Sequence, residues 1–168
     1  YKGGNPNLGD THGRTALMHA AEKGHPETAK LLIERGADLE ARDNQGSSAL
    51  IVAADKGNLE VMQLLLEKGA NVNAQDNDGA TALIWAVGQG HQEAVELLLR
   101  NSADINAADN DGITALMEAA TTRNESLVKL LLINGANVDM QDKSGRTAAD
   151  IASKKRNKKV ITLLQGEP

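Results

Sequence analysis

A step of 33 residues runs through this chain with no insertion. Aspartate recurs at Asp10, Asp43, Asp76, Asp109 and Asp142, and glycine follows three positions later at Gly13, Gly46, Gly79, Gly112 and Gly145. A leucine comes next at Leu17, Leu50, Leu83 and Leu116, with Ala149 in the last copy. A constant period of this length marks a stack in which each unit buries its apolar face against its neighbours alone. The chain therefore reads as one elongated domain, 1–168, with units at 10–42, 43–75, 76–108 and 109–141. Residues 142–168 form a closing unit. Residues 1–9 align with the end of a unit, so the chain is expected to open on a truncated preceding repeat.

The content of a unit follows from local chemistry. Asp-x-x-Gly is a turn, with an Asx-type bond at its start and a residue tolerant of positive φ at its end. Thr15, Ser48, Thr81, Thr114 and Thr147 then stand where a hydroxyl caps a helix. The first helix is short and alanine-rich (Leu17, Ala20 and Ala21 in one copy, Leu116, Ala119 and Ala120 in another), which permits close helix approach. Gly24, Gly57 and Gly90 end it. A second helix carries Leu31 and Leu32, Leu64 to Leu66, Leu97 to Leu99, and Leu130 to Leu132, read as its core-facing residues. Gly36, Gly69 and Gly135 close this helix, and an extended return leads into the next turn. The chain has no Phe, one Trp and one Tyr, so the core must be built from Leu, Ile, Val and Ala.

Several function classes are disfavoured. With no Cys there is no disulfide frame, no thiol nucleophile and no Cys-based zinc site, which suits a reducing, cytoplasmic location. No apolar run approaches the roughly 18–20 residues that cross a bilayer. The net charge is −5, and residues 154–159 (KKRNKK) concentrate positive charge at one end, so the remaining body is strongly acidic and unsuited to nucleic acid. The basic run reads as a solvated face. Asp76 to Gly79 and Asp109 to Gly112 resemble calcium loops, but Ala74 and Ala107 occupy the first ligand position, so no metal is expected. His25 and His91 alternate with Asn58 and Asn124 before the second helix, which points to a shared structural hydrogen bond rather than proton transfer. No nucleophile recurs beside a histidine, no phosphate-cradling loop appears, and no deep apolar cleft is expected. No enzyme activity and no cofactor are expected.

These residues resemble the ankyrin-repeat family: Asp-x-x-Gly, then a Thr-x-Leu helix start, paired alanines, a capping glycine, and Gly-Ala-Asp/Asn before the next turn. The resemblance runs from residue 3 to about residue 165. It implies an all-α solenoid of helix-turn-helix units with hairpin-like turns projecting from one edge. It also implies protein binding. The family's Thr-Pro-Leu-His reads here TALM, SALI, TALI, TALM and TAAD. Burial of Met18, Ile51, Ile84 and Met117 must replace the bond that the family's histidine makes to the turn. Arg123 and Arg156 stand where glycine caps the first helix, and Ser102 where it caps the second. The junction of the third and fourth units is therefore expected to be weak, with amide exchange faster than in the second unit.

The scaffold repeats while one surface varies, and the resemblance makes that surface the concave groove for a protein partner. The turn tips offer Asn77, Asp78, Asn110, Asp111 and the apolar Ile113. The inner helices offer His19, Val52, Asp55, Lys56, Trp85, Gln89, Glu118 and Thr122. Trp85 is the only tryptophan and stands near the middle, with Gly88 one turn on; tryptophan is enriched among residues that dominate interfaces. Its competing role is to fill space across the inner helices. The reading is a monomeric, non-catalytic interaction module. An engineered ankyrin scaffold, or the targeting arm of a larger enzyme, are the alternatives.

Overall fold

The computed structural model describes residues 4–122 and 124–166. It contains ten helices among the described residues: α1 Ala16–Lys23, α2 Pro26–Glu34, α3 Ala49–Lys56, α4 Leu59–Glu67, α5 Ala82–Gly88, α6 Gln92–Arg100, α7 Ala115–Thr121, α8 Glu125–Ile133, α9 Ala148–Lys154 and α10 Lys158–Leu164. Each is too short to persist alone in water, so tertiary packing must hold it. Every odd-numbered helix starts on the expected cap. The hydroxyls of Thr15, Ser48, Thr81, Thr114 and Thr147 accept the backbone N–H three residues on.

The odd helices stack as an inner row, α1 to α9, and the even helices back them as an outer row. Leu17, Leu50, Leu83 and Leu116 are no more than 1% exposed and form the spine of the inner row. The alanines Ala53, Ala86, Ala119 and Ala152 are fully buried between helices. The outer row is narrower than its leucines suggest. Only the middle leucine of each triplet, Leu65, Leu98 and Leu131, is fully buried, while Leu31 is 48% exposed. The remaining core contacts come from residues one turn earlier: Val61 and Met62, Ala94 and Val95, Leu127 and Val128. With a period of 3.6, one face can hold only one leucine of three in a row.

Side chains of the returns tie unit to unit. Asn7, Glu40, Asn73 and Asn106 each accept the backbone N–H of the next unit's return, at Asp38, Asn71, Asp104 and Asn137. The projecting turns form no sheet. Two isolated antiparallel bridges, Gln75 to Thr81 and Ala108 to Thr114, are the extent of the hairpin character.

The junction between the third and fourth units is the sparsest in both rows, α5 against α7 and α6 against α8. Ser102, at the end of the outer helix there, takes φ 64°, and Arg156 takes φ 56° at the end of α9. Left-handed geometry costs a residue with a side chain roughly 1 kcal/mol. Arg123 lies outside the described residues. We predict that Ser102→Gly raises stability by about 0.5–1 kcal/mol in urea and slows amide exchange in α6 and α8. Unchanged exchange there would mean that the strain at Ser102 does not set the weakness of the junction. No helix among the described residues is long and apolar enough to cross a membrane.

Candidate partner-binding groove

Each unit's turn is pinned by its aspartate. In the third unit, Asp76 Oδ1 accepts the backbone N–H of Asp78 at 3.0 Å and of Ala80 at 2.9 Å. Asp109 does the same for Asp111 and Ile113, both at 2.8 Å. These carboxylates are thus committed to their own turns. No cluster of three acidic or histidine side chains able to hold a metal forms among the described residues.

The second carboxylate oxygen has a different partner in four units and none among the described residues in the fourth, and the inner-helix residue nine positions on decides it. In the first unit, His19 Nε2 meets Asp10 Oδ2 at 2.9 Å. The Arg14 backbone N–H, then the His19 ring, hold the Asp10 carboxyl below the usual carboxylate range. In the third unit, Trp85 Nε1 donates to Asp76 Oδ2 at 2.8 Å. In the second unit Val52 cannot donate, and Arg14 of the preceding unit approaches Asp43 instead, at 3.6 Å. In the fifth unit Ile151 cannot donate either. Arg146 Nε and Nη2 reach Asp142 at 2.8 Å and 2.7 Å, and the Arg146 backbone N–H, then its side chain, hold that carboxyl low. In the fourth unit the residue is Glu118, which repels Asp109 rather than bonding to it.

The tips are less free than the sequence suggests. Backbone bonds run from tip to tip, from Asn44, Asn77, Asn110 and Lys143 to the carbonyls of His12, Gln45, Asp78 and Asp111. A side-chain ladder lies beside them: Asn77 Nδ2 donates to the Asn44 carbonyl at 3.1 Å, and Asn110 Nδ2 to the Asn77 carbonyl at 2.9 Å. Asn77 and Asn110 therefore hold the tips together. Asp78 and Asp111 leave their side chains exposed.

The helix-face candidates also divide. Trp85 is half-buried, packed on the core and fixed by its N–H, so its remaining edge is presented in one orientation. Val52, expected to present itself to a partner, is 5% exposed and belongs to the core. Its side chain ends within the packed layer that the indole at the equivalent position extends beyond. Asp55, Lys56 and Gln89 form one cross-unit cluster, with Gln89 Nε2 and Lys56 Nζ both 2.8 Å from the Asp55 carboxylate. Thr122 closes α7, its hydroxyl donating to the Ala119 carbonyl at 2.7 Å. His19 is exposed, and Ile113 and Glu118 are half-buried.

Ile113 and Glu118 open on a cleft of about 420 Å³ between the fourth and fifth units. Its apolar part is Ile113, Met117 and Ile151; Thr121, Arg146, Lys154 and Lys155 complete it. Burial, then the neighbouring Asp109, push the Glu118 carboxyl above the usual carboxylate range, against an opposing pull from Lys155. Gly88 of the third unit faces the same side chain, and a methyl group there would lie 3.4 Å from Glu118 Oε1. The room at Gly88 thus serves Glu118. This is not a deep apolar cleft, since charged side chains make up half of its lining. In the sequence Ile151 sits in a polar closing unit and Lys154 and Lys155 in a charge run, and no spacing joins them to Ile113.

A family model of ankyrin repeats matches residues 2–76, 42–109, 68–142 and 103–167. The chain belongs to the ankyrin-repeat family. No individual curated protein matches it. Ankyrin repeats are generally protein–protein interaction modules, and the fold is the all-α repeat solenoid that the sequence implied.

Two departures of this ankyrin chain from the family's Thr-Pro-Leu-His have structural outcomes. Met18, Ile51, Ile84 and Met117 are at most 7% exposed, so burial does replace the histidine's bond in four units. In the fifth, Asp150 accepts from both the Thr147 backbone N–H and the Thr147 hydroxyl, at 2.9 Å each. A bond back to the turn is nonetheless made in two units, by His19 and Trp85, one position later than expected. The predicted His/Asn bond before the outer helix forms at Asn58 and His91 but not, among the described residues, at His25. Asn58 and His91 reach the carbonyls of Ala21 and Asp55 in the preceding unit, and Asn157 reaches that of Thr122. Asn124 instead caps its own helix through the Leu127 N–H.

Proposed function

We propose that this chain binds a protein partner along its inner helices and turn tips and catalyses no reaction. The observation that carries the reading is Trp85: a large, partly buried side chain with an open edge on the inner row, whose indole is held by Asp76 at 2.8 Å. A rigid aromatic loses little conformational entropy on binding, and such side chains dominate interface energies. Ile113 adds an apolar contact from the next unit's tip, and His19, Asp78 and Asp111 add exposed polar groups around them. The cysteine-free composition fits a reducing, cytoplasmic setting.

The test uses the whole chain as bait in affinity capture, beside a Trp85→Ala, Ile113→Glu variant whose circular dichroism matches. A protein held by the first and released by the second is expected, because loss of a central aromatic weakens binding at least tenfold. Equal retention of every captured protein by both baits would remove the inner face from the interaction.

A further inference from the structure

We propose that the cleft between the fourth and fifth units receives a single arginine or lysine side chain of the partner, its stem on Ile113 and Ile151 and its head group on Glu118. This deepens the groove reading above and rests on it.

The geometry first selects the shape of the occupant. The cleft is about 420 Å³, at the small end of the range for ligand sites. Its floor is Met117 and Ile151, at 1% and 7% exposure, beside the half-buried Ile113. A methylene stem lies well on such a surface, while its charged head stays at a polar end. That polar end is Glu118, which makes no hydrogen bond or ion pair through its carboxylate among the described residues.

Charge then selects the sign. The inner-row aspartates Asp10, Asp76 and Asp142 each have a donor on the outer oxygen, and Asp43 has Arg14 nearby. Asp109 lacks any such side-chain donor among the described residues and acts on Glu118 as a like charge. Glu118 is thus the one carboxylate lining the cleft, and Asp109 adds a like charge that acts on it. The one guanidinium within it, Arg146, is already bound to Asp142 by two nitrogens. Lys154 and Lys155 are exposed, so water serves them and their pairing is worth little. Glu118 is half-buried and has no ion-pair partner among the described residues, so a cation placed on it recovers a solvation loss already incurred in folding. The raised pKa of Glu118 is a sign of that same loss. An anionic side chain would meet Glu118 on the cleft wall, with Asp109 adding to the repulsion. A run of several cations would meet Lys154, Lys155 and Arg146. The cleft therefore suits one basic residue with no others beside it.

Random-peptide display against the whole chain tests this. Selected peptides are expected to share one isolated Arg or Lys and to shift the methyl resonances of Ile113 and Ile151. They should bind Glu118→Gln about tenfold or more weakly, as expected on removing one charge of a desolvated pair. Glu118→Lys should regain affinity for a peptide whose basic residue is changed to Glu. Circular dichroism of both variants checks the fold. Peptides that shift the Trp85 signals but carry no isolated cation, carry acidic residues instead, or bind Glu118→Gln unchanged would overturn this inference and leave the groove reading standing. A selection that returns only outer-helix binders, or none, would overturn both.

Discussion

Asp76→Ala is expected to lower stability in urea by about 3–5 kcal/mol and to shift the emission of Trp85, the only tryptophan. Three donors end on this carboxylate: the N–H groups of Asp78 and Ala80 and the indole of Trp85. Asp76 is 8% exposed and Ala80 7%, so the donors they leave behind are poorly reached by water. Hydrogen bonds to a charged acceptor contribute about 1.5–3 kcal/mol each, and an orphaned buried donor costs a similar amount. The Asp78 N–H, on an exposed residue, can turn to solvent, which holds the total below the full sum. Asp109→Ala is the matched comparison. It removes the same two turn bonds but no indole bond, and it relieves the repulsion on Glu118. Its loss should be smaller by about 1–2 kcal/mol. Equal losses for the two would show that the Trp85 bond contributes nothing to holding the turn. Asp76→Asn adds a finer test. It can keep the turn bonds through its oxygen but faces Trp85 with a donor, so the emission shift should persist with only part of the destabilisation.

This turn also marks the boundary of what could be read in advance. The period, the Thr and Ser caps, the buried leucines of the inner row and the bond from Asn58 and His91 were all legible, because each follows from spacing within a unit or from exchange at one position between units. The link between Trp85 and Asp76 was not legible, since a nine-residue separation crosses the turn and the helix start. Only the folded angle between them brings the indole to the carboxylate. The same holds for the tips, where Asn77 and Asn110 look like free polar residues until the units are stacked in register. Val52 shares a position with Trp85 yet differs from it in exposure, because length alone decides whether a side chain there passes the packed layer. The cleft is built from Ile113 on one unit's tip and Ile151 on the next unit's helix, and no spacing rule joins them. Trp85 was thus readable as a candidate, while its orientation and the neighbouring cleft depend on how the units stack.

The tip ladder is expected to be nearly as sensitive as the turn carboxylate. Gly46→Ala should cost about 3 kcal/mol, and Gly36→Ala only about 1 kcal/mol, although both glycines are left-handed, at φ 77° and 83°. The backbone strain of adding a side chain is the same at the two sites and cancels in the comparison. The surroundings differ. At Gly36 a methyl group meets nothing within 4 Å. At Gly46 it would lie 2.4 Å from Asn77 Oδ1 and 2.7 Å from the Asn77 backbone nitrogen. The side-chain oxygen can swing aside, but the backbone nitrogen cannot move without breaking its bond to the Gln45 carbonyl at 2.9 Å, and the Asn77 side chain would then leave the Asn44 carbonyl. Two hydrogen bonds at about 1 kcal/mol each make the difference between the sites. Urea denaturation of the two variants measures it directly. A difference near zero would mean that the tips adjust freely, and with it would go the premise that Asp78 and Asp111 are presented to a partner at a fixed spacing. A difference near 2 kcal/mol would mean that the tips resist displacement as a connected row, so a partner meets a surface already ordered before it binds.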